Sequence, residues 1–173
     1  MAGSAREAEL LEKAYAYVLE NGLSDLSLRP LASAIGSSPR VLLFLFGSKD
    51  ELVRRLLARA REDELAGPVD AEGVWAWLSD PAHAGLLRLW TEAYARSLSD
   101  PSGPWGDFAR STVDDWLRIL AAAQPPEVRR TARGRAQRTA VLALLRGAML
   151  DLLATGDRAR VGAAVATALD QLT

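Results

Sequence analysis

The sequence predicts an all-α protein in which an N-terminal three-helix unit, containing a helix-turn-helix, precedes a C-terminal helical bundle. Apolar residues recur at spacings of three and four along the chain of 173 residues, and alternation with period two is missing. Glycine, proline and capping residues interrupt this pattern at intervals typical of helix ends. With 49% hydrophobic and 25% charged residues, the composition is that of a globular chain large enough to form its own core.

The composition argues against an enzyme. Cysteine is absent, which excludes disulfides, thiol chemistry and thiolate zinc sites, and the single histidine, His83, cannot form a histidine cluster. We therefore expect no catalytic residues, no metal and no cofactor, and we expect His83 to be a surface or capping residue. Because no apolar run approaches the ~20 residues of a membrane span and the first residues lack a signal core, a cytoplasmic protein without membrane contact is expected.

Capping residues and breakers divide the N-terminal part of the chain into four predicted helices. Ser4 and Asn21-Gly22 bound the first helix, Ser27 and Gly36 the second, Ser38-Pro39 and Gly47 the third, and Ser48 and Gly67-Pro68 the fourth.

The remaining chain is separated by proline- and glycine-containing breakers into five further predicted helices. These helices lie near residues 71–79, 82–98, 105–123, 127–154 and 158–171. The sequence thus predicts a helix-turn-helix domain over 1–47, a connecting helix over 48–66, and a ligand-binding and dimerisation domain over 67–173.

Residues 27–46 have the form of a helix-turn-helix, with a glycine turn between two short helices. Leu42 and Phe46 lie four residues apart, so they share the face that packs inward, and the opposite face carries Arg40 and Phe44. The net charge is only −1, so any contact with nucleic acid has to come from such a local surface.

Residues 15–57 resemble the DNA-binding region of TetR-family transcriptional regulators. The resemblance rests on Gly22, Ser27-x-Arg29-x-Leu31-Ala32, Ile35-Gly36-x-Ser38-Pro39, Phe46 and Ser48-Lys49-x-x-Leu52. It implies a homodimer that binds double-stranded DNA and is released when a small molecule binds the C-terminal domain. It also implies that Ser27, Arg29 and Lys49 contact or support the DNA backbone, and that the recognition helix carries Ser38, Pro39, Arg40, Leu43 and Phe44.

The recognition helix departs from the family in its polar groups. Members usually have tyrosine at the position of Leu43 and histidine at that of Leu45, and both are replaced here by leucine. One interpretation is that Val41 and Phe44 contact thymine methyl groups while Arg40 supplies the polar contact. The alternative is a degenerate helix-turn-helix that serves packing or another partner.

Aromatic residues are concentrated in the middle of the chain, where all five tryptophans lie between Trp75 and Trp116. A large apolar cavity is typical of ligand sites in helical bundles, so this region predicts a pocket for an apolar or aromatic effector. For any single tryptophan, ordinary core packing is the alternative. The predicted ligand-binding residues are Trp75, Trp90, Tyr94, Phe108, Trp116 and Met149.

The last two helices are apolar on two faces, which predicts burial on both sides. One face can meet the core of the same chain and the other a second copy, although both faces could also be filled within one chain. The predicted dimer interface consists of Leu144, Ala148, Val161, Val165, Ala168 and Leu169.

Five arginines begin the helix over 127–154, and their most direct interpretation is a solvated face balanced by nearby acids. The other interpretation is a reader of anions or a second DNA contact. These arginines are Arg129, Arg130, Arg133, Arg135 and Arg138.

Taken together, the sequence predicts a ligand-responsive transcriptional regulator, a repressor, that binds palindromic operator DNA as a homodimer. The alternative is a ligand-binding or protein-interaction module whose helix-turn-helix no longer reads DNA.

Overall fold

The computed structural model describes residues 2–23, 26–67 and 69–172, and in these ranges the chain is helical without strands. This confirms the all-α prediction. The α-helices are α1 (Ala2–Asn21), α2 (Leu28–Ala34), α3 (Pro39–Phe46), α4 (Lys49–Leu65), α5 (Ala71–Leu78), α6 (Ala84–Ser99), α7 (Phe108–Ala123), α8 (Pro126–Arg129), α9 (Ala132–Thr155) and α10 (Arg158–Leu172), with a 3-10 helix over Pro81–His83.

Most helix ends fall where the sequence predicts them. The residues after α2 and α3 turn the chain at Gly36 (φ 67°) and Gly47 (φ 76°), in the left-handed region that favours glycine. At the first helix the prediction is wrong by three residues, because a cap at Ser4 predicts a helix from residue 5, whereas α1 already begins at Ala2.

The helix predicted over 127–154 is divided into α8 and α9. Thr131 adopts an extended conformation (φ −75°, ψ 158°), and its side-chain oxygen accepts a hydrogen bond from the Gly134 amide at 2.9 Å. Thr131 is therefore a true N-cap. A side-chain cap inside an apparently continuous periodic segment is easily missed, because apolar spacing alone does not reveal it.

The chain forms two compact units that do not follow the linear order of the helices. The first unit combines Met1–Glu64 with Gly85–Arg110, and the second combines Leu65–Ala84 with Ser111–Thr173. The functional division into 1–47, 48–66 and 67–173 stays a prediction.

In the first unit, α1, α2 and α3 contact one another around a common apolar core. The buried side chains in this core include Leu10, Ala14, Val18, Leu31, Ala32, Ile35, Leu42 and Phe46. The helices α1, α2 and α3 therefore pack together as the three-helix unit that the sequence predicts.

Polar contacts join α1 to α4 at three successive levels. Arg55, Arg59 and Asp63 lie four residues apart on α4 and so share one face. Their contacts with α1 are Arg55 Nη1 to Glu7 Oε1 (2.6 Å), Arg59 Nε to Glu12 Oε1 (2.8 Å) and Tyr15 Oη to Asp63 Oδ2 (2.9 Å). Burial of Tyr15, together with its hydrogen bond to Asp63, raises the pKa of the phenol above its ordinary value. Two exposed ion pairs, at Arg55 and Arg59, thus tie α4 to α1, and the buried tyrosine ties its last turns through Asp63.

In the second unit, α9 and α10 form a hairpin with its own core. Asp151 near the end of α9 accepts two hydrogen bonds from the Arg160 guanidinium, at 2.6 and 2.9 Å. This ion pair lowers the pKa of the Asp151 carboxyl below its ordinary value. Together with the left-handed Gly156 (φ 68°) it fixes the turn between the two helices.

Candidate nucleic-acid interface and candidate effector cavity

The short helix α3 has well-defined ends. Ser38 precedes it in an extended conformation, and its hydroxyl oxygen accepts a hydrogen bond from the Val41 amide at 3.3 Å. Pro39 occupies the first helical position, where a missing amide proton costs nothing. At the other end the Gly47 amide donates to the Leu43 carbonyl at 2.9 Å. These caps hold a helix that is too short to be stable alone.

The orientation of α3 is set by its two buried side chains. Leu42 is 1% exposed and Phe46 is 3% exposed, and both lie on the face that packs within the three-helix unit. Phe44 lies on the opposite side of the helix and is 85% exposed. Val41 and Leu43 beside it are 38% and 42% exposed. The outer face of α3 is thus apolar and open to contact.

Three positive charges that form no ion pair within the described residues accompany this face. Arg29, Arg40 and Lys49 are exposed, and none of them forms an ion pair with another residue in the ranges that the structure describes. By contrast, Arg54 and Arg55 of α4 are paired with carboxylates. The charges on α2, on α3 and at the start of α4 therefore remain available to an anionic partner.

Ser27 is placed as predicted but does not act as predicted. It precedes α2 in an extended conformation (φ −118°, ψ 136°), yet its side chain makes no capping hydrogen bond. The predicted side-chain cap is therefore wrong, although Ser27 is exposed at the N-terminus of α2, where a phosphate would be favoured.

The six predicted ligand-binding residues are divided between the two units. Trp90, Tyr94 and Phe108 lie in the first unit. There Trp90 stacks on Tyr94 with ring centroids 4.7 Å apart, and the Phe108 centroid lies 6.5 Å from that of Trp90. The other three, in the second unit, are Trp75, Trp116 and Met149. Trp90, Phe108, Trp116 and Met149 are buried, so they fill core positions.

The second unit contains a cavity of about 640 Å³ that none of these six residues lines. Its volume is within the ~300–1,000 Å³ range of small-molecule sites. Buried Ala71, Leu120 and Val141 belong to its apolar wall. Its polar wall includes Gln124, Gln137 and Arg138, and exposed charges at its lining are Glu72, Glu127 and Arg133.

Hydrogen bonds to oxygen acceptors fix the polar wall of the cavity. The Arg138 guanidinium donates to Gln124 Oε1 and to the Arg129 carbonyl, both at 3.0 Å. The Gln124 amide in turn donates to the Gly134 carbonyl at 2.9 Å. Arg129 donates to the Ala122 carbonyl at 2.9 Å. The contacts to Ala122 and Arg129 satisfy carbonyls in the last turns of α7 and α8, which lack intrahelical partners.

The arginine cluster is consequently not a face balanced mainly by acids. Arg129, Arg135 and Arg138 donate to carbonyl or amide oxygens, and the Arg135 contact is to the Arg130 carbonyl at 2.7 Å. The signal that could have suggested this role is the position of the cluster directly after Pro125-Pro126, where one helix ends and the next begins.

The predicted dimer residues fall into two groups. Val161, Val165 and Leu169 are at most 4% exposed and fill the core of their own chain, so they offer no surface to a second copy. We correct the predicted interface in this respect. The residues that remain partly accessible are Leu144, Ala148 and Ala168.

Sequence reasoning missed a contact between α6 and the segment before α2. Glu92 Oε2 accepts a hydrogen bond from the Leu23 amide at 2.9 Å, and its other carboxylate oxygen is buried. Nothing in the local pattern around Glu92 indicates this partner, because the two residues lie 69 positions apart.

His83 is half-buried, stacks on Trp77 with centroids 4.4 Å apart, and its Nδ1 lies 2.8 Å from the Trp77 carbonyl oxygen. Within the described part of the chain, no group of three or more potential metal ligands converges. None of the helices found there is both long and apolar enough to cross a membrane.

Comparison with solved structures identifies the fold. The chain is similar to a TetR transcription regulator from Haloarcula marismortui, with a TM-score of 0.68, 18% identity and coverage of 96% of both chains. It is also similar to the multidrug binding protein EbrR in complex with imidazole, with a TM-score of 0.56, 21% identity and coverage of 94% of this chain and 89% of that chain. No family model and no curated protein matches the sequence. The fold is therefore that of TetR-family regulators.

The two serines before the helices of the helix-turn-helix are expected to differ in their contribution to stability. Ser38→Ala removes a formed cap and should lower the free energy of unfolding by about 1 kcal/mol. Ser27→Ala removes no capping hydrogen bond and should change it by less than about 0.5 kcal/mol. Urea denaturation followed by circular dichroism measures both, and equal losses would contradict the assignment of the caps.

Proposed function

We propose that this chain, which has the fold of TetR-family regulators, is a transcriptional repressor that binds palindromic operator DNA as a homodimer. An apolar or aromatic small molecule releases it from the operator. The observation that carries this proposal is the outward face of α3, which projects from a helix-turn-helix and is accompanied by cations that form no ion pair with any residue the structure describes.

The dimensions and charge of this face fit a DNA groove. An eight-residue helix enters a major groove with the side chains opposite its buried face, here Arg40, Val41 and Phe44. Arg29 and Lys49, on the flanking helices, are suited to contact phosphates, which supply most of the affinity and none of the sequence information. In a homodimer the two recognition helices would lie about 34 Å apart, in successive grooves.

Replacing Lys49 by alanine is expected to weaken binding to all sequences alike. Lys49 is the first residue of α4 and pairs with no carboxylate among residues 2–23, 26–67 and 69–172, so it is assigned to a phosphate. Lys49→Ala should therefore lower the slope of log affinity against log salt by about 1. Mobility shifts at several salt concentrations, with duplexes that the wild type enriches from a random library, measure this.

The matched control is Arg54→Ala, which removes a charge that already pairs with Glu51 at 3.2 Å on the same helix. It should leave the slope unchanged. A Lys49→Ala effect confined to some duplexes would contradict the phosphate assignment. If the wild type enriches no duplex, the repressor proposal fails and the degenerate, protein-binding alternative is favoured.

The homodimer proposal is supported by an exposed stripe on α9. Ala143, Gly147, Leu150 and Ala154 follow one another at spacings of four and three, so they share a face, and all four are exposed. Leu144 and Ala148 adjoin this stripe and are partly accessible. A face of small residues around one exposed leucine allows close approach of the same face on a second copy.

A charge in the centre of this stripe is expected to separate the subunits. Leu150 is 48% exposed, so Leu150→Asp should leave the fold intact but convert a dimer to a monomer in sedimentation at micromolar concentration. Leu98→Asp is the control, because Leu98 is 65% exposed on α6 and should leave the dimer intact. A wild type that sediments as a monomer at this concentration would overturn the proposal.

For the effector we favour the cavity of the second unit over the predicted aromatic residues. Most of those residues are buried and packed, whereas the cavity is open space with an apolar wall. Its fixed polar groups could orient a ligand without first giving up their own hydrogen bonds. Release from DNA requires that the ligand bind the DNA-free state more tightly than the DNA-bound state.

Two variants distinguish the possible effector sites. Compounds from an apolar and aromatic panel that raise the melting temperature of the wild type are tested again on Ala123→Trp, which introduces a large side chain at the cavity lining. We expect this variant to lose the stabilisation and Tyr94→Ala, in the aromatic cluster, to retain it. The opposite pattern would assign the effector to the aromatic cluster, and a panel without any stabilising compound would contradict an apolar effector.

A further inference from the structure

The outer face of α3 has almost no hydrogen-bonding capacity. Within Pro39–Phe46, Arg40 is the single polar side chain. Of the two serines before the helix, Ser37 Oγ is buried, and Ser38 Oγ accepts a hydrogen bond from the Val41 amide, which leaves its hydroxyl proton to donate. Beyond Arg40 and the Ser38 hydroxyl, the side chains of this face offer only apolar contact.

Base edges in the major groove offer one apolar group to such a face, the methyl group at pyrimidine C5. Thymine carries it beside an O4 acceptor. In 5-methylcytosine the same methyl group occupies the same ring position, beside an N4 donor. A polar side chain distinguishes the two bases through this reversal of donor and acceptor, whereas a phenyl or isopropyl group does not.

Phe44 is the side chain best placed to make this contact. It is 85% exposed, lies opposite the buried side of α3, and shares its face with Val41 three positions before it. The charges of Arg29, Arg40 and Lys49, which no ion pair neutralises in the described part of the chain, favour DNA as the occupant of this apolar surface over an uncharged protein surface.

We propose that α3 reads pyrimidine C5-methyl groups through Phe44 and Val41, so that binding is insensitive to the exchange of thymine for 5-methylcytosine but sensitive to loss of the methyl group. This rests on the proposed function, since it concerns how the same surface selects its DNA. It has a regulatory consequence: cytosine methylation within a target site raises the affinity of the protein for that site.

The test is a factorial experiment on the duplex that the wild type enriches most from a random library. Each thymine is replaced in turn by uracil, which removes only the methyl group. At the positions where this weakens binding, four pairs are compared by fluorescence anisotropy: T·A, U·A, 5-methylcytosine·G and C·G. We expect a loss of about fourfold for each methyl group removed, in both base-pair contexts, from the value of a buried methylene group.

Two variants assign the effect to side chains. In Phe44→Ala, whose folding is checked by circular dichroism, removal of the methyl group should change affinity by less than about twofold, because the larger of the two contacting side chains is gone. In Lys49→Ala the affinity should fall for all four pairs while the methyl effect stays at its wild-type size.

The possible outcomes test methyl reading, its assignment to a side chain, and DNA binding separately. Wild-type binding that is unchanged by uracil, or that separates T·A from 5-methylcytosine·G as strongly as from C·G, overturns methyl reading but leaves DNA binding intact. A methyl effect that keeps its wild-type size in Phe44→Ala overturns the assignment to Phe44. If no duplex is enriched at all, the proposed function itself fails, and the apolar face is left to a protein partner.

Discussion

The burial of Leu42 and Phe46 is the constraint on which the rest of the N-terminal unit depends. A helix of eight residues offers only two side chains, one turn apart, to a core, and these two positions then fix the rotation of the whole helix. Every other side chain of α3 follows from that choice. One consequence is that Phe44, a large apolar group, is 85% exposed beside the partly exposed Val41 and Leu43, and apolar patches of this kind are typical of interaction surfaces.

The distribution of ion pairs supports the same interpretation of the surface. On α4, arginines that face α1 are neutralised by carboxylates on both helices, and the buried Tyr15 completes this side. Surface ion pairs contribute little stability individually, but they cancel charge locally. Arg29, Arg40 and Lys49, in contrast, form no ion pair within the part of the chain that the structure describes, so a chain with a net charge of −1 still carries a local group of cations around α3.

In the second unit a helix is predicted correctly from the sequence, but the face that it buries within its own chain is not. The apolar stripe of its last helix, formed by Val161, Val165 and Leu169, is buried in the core of the same chain. Likewise the arginines near the start of α9 look like a solvated cluster, but several of them close the connection between α7 and α9 by donating to carbonyl and amide oxygens. Both cases arise because apolar or basic character does not specify which partner a side chain meets.

The sequence by itself determined the helical class, most helix ends and the outward face of α3. These depend on local properties: apolar spacing, side-chain caps and glycines with positive φ. The apolar character of the outer face of α3 also followed from the sequence, because identifying the two residues that face inward assigns the remaining side chains to the outside. The tertiary structure alone decided which face of α10 is buried, where the cavity lies, and that Glu92 meets the backbone of Leu23. Those features join residues far apart in the chain, and their energies depend on packing partners that no local pattern of the sequence encodes.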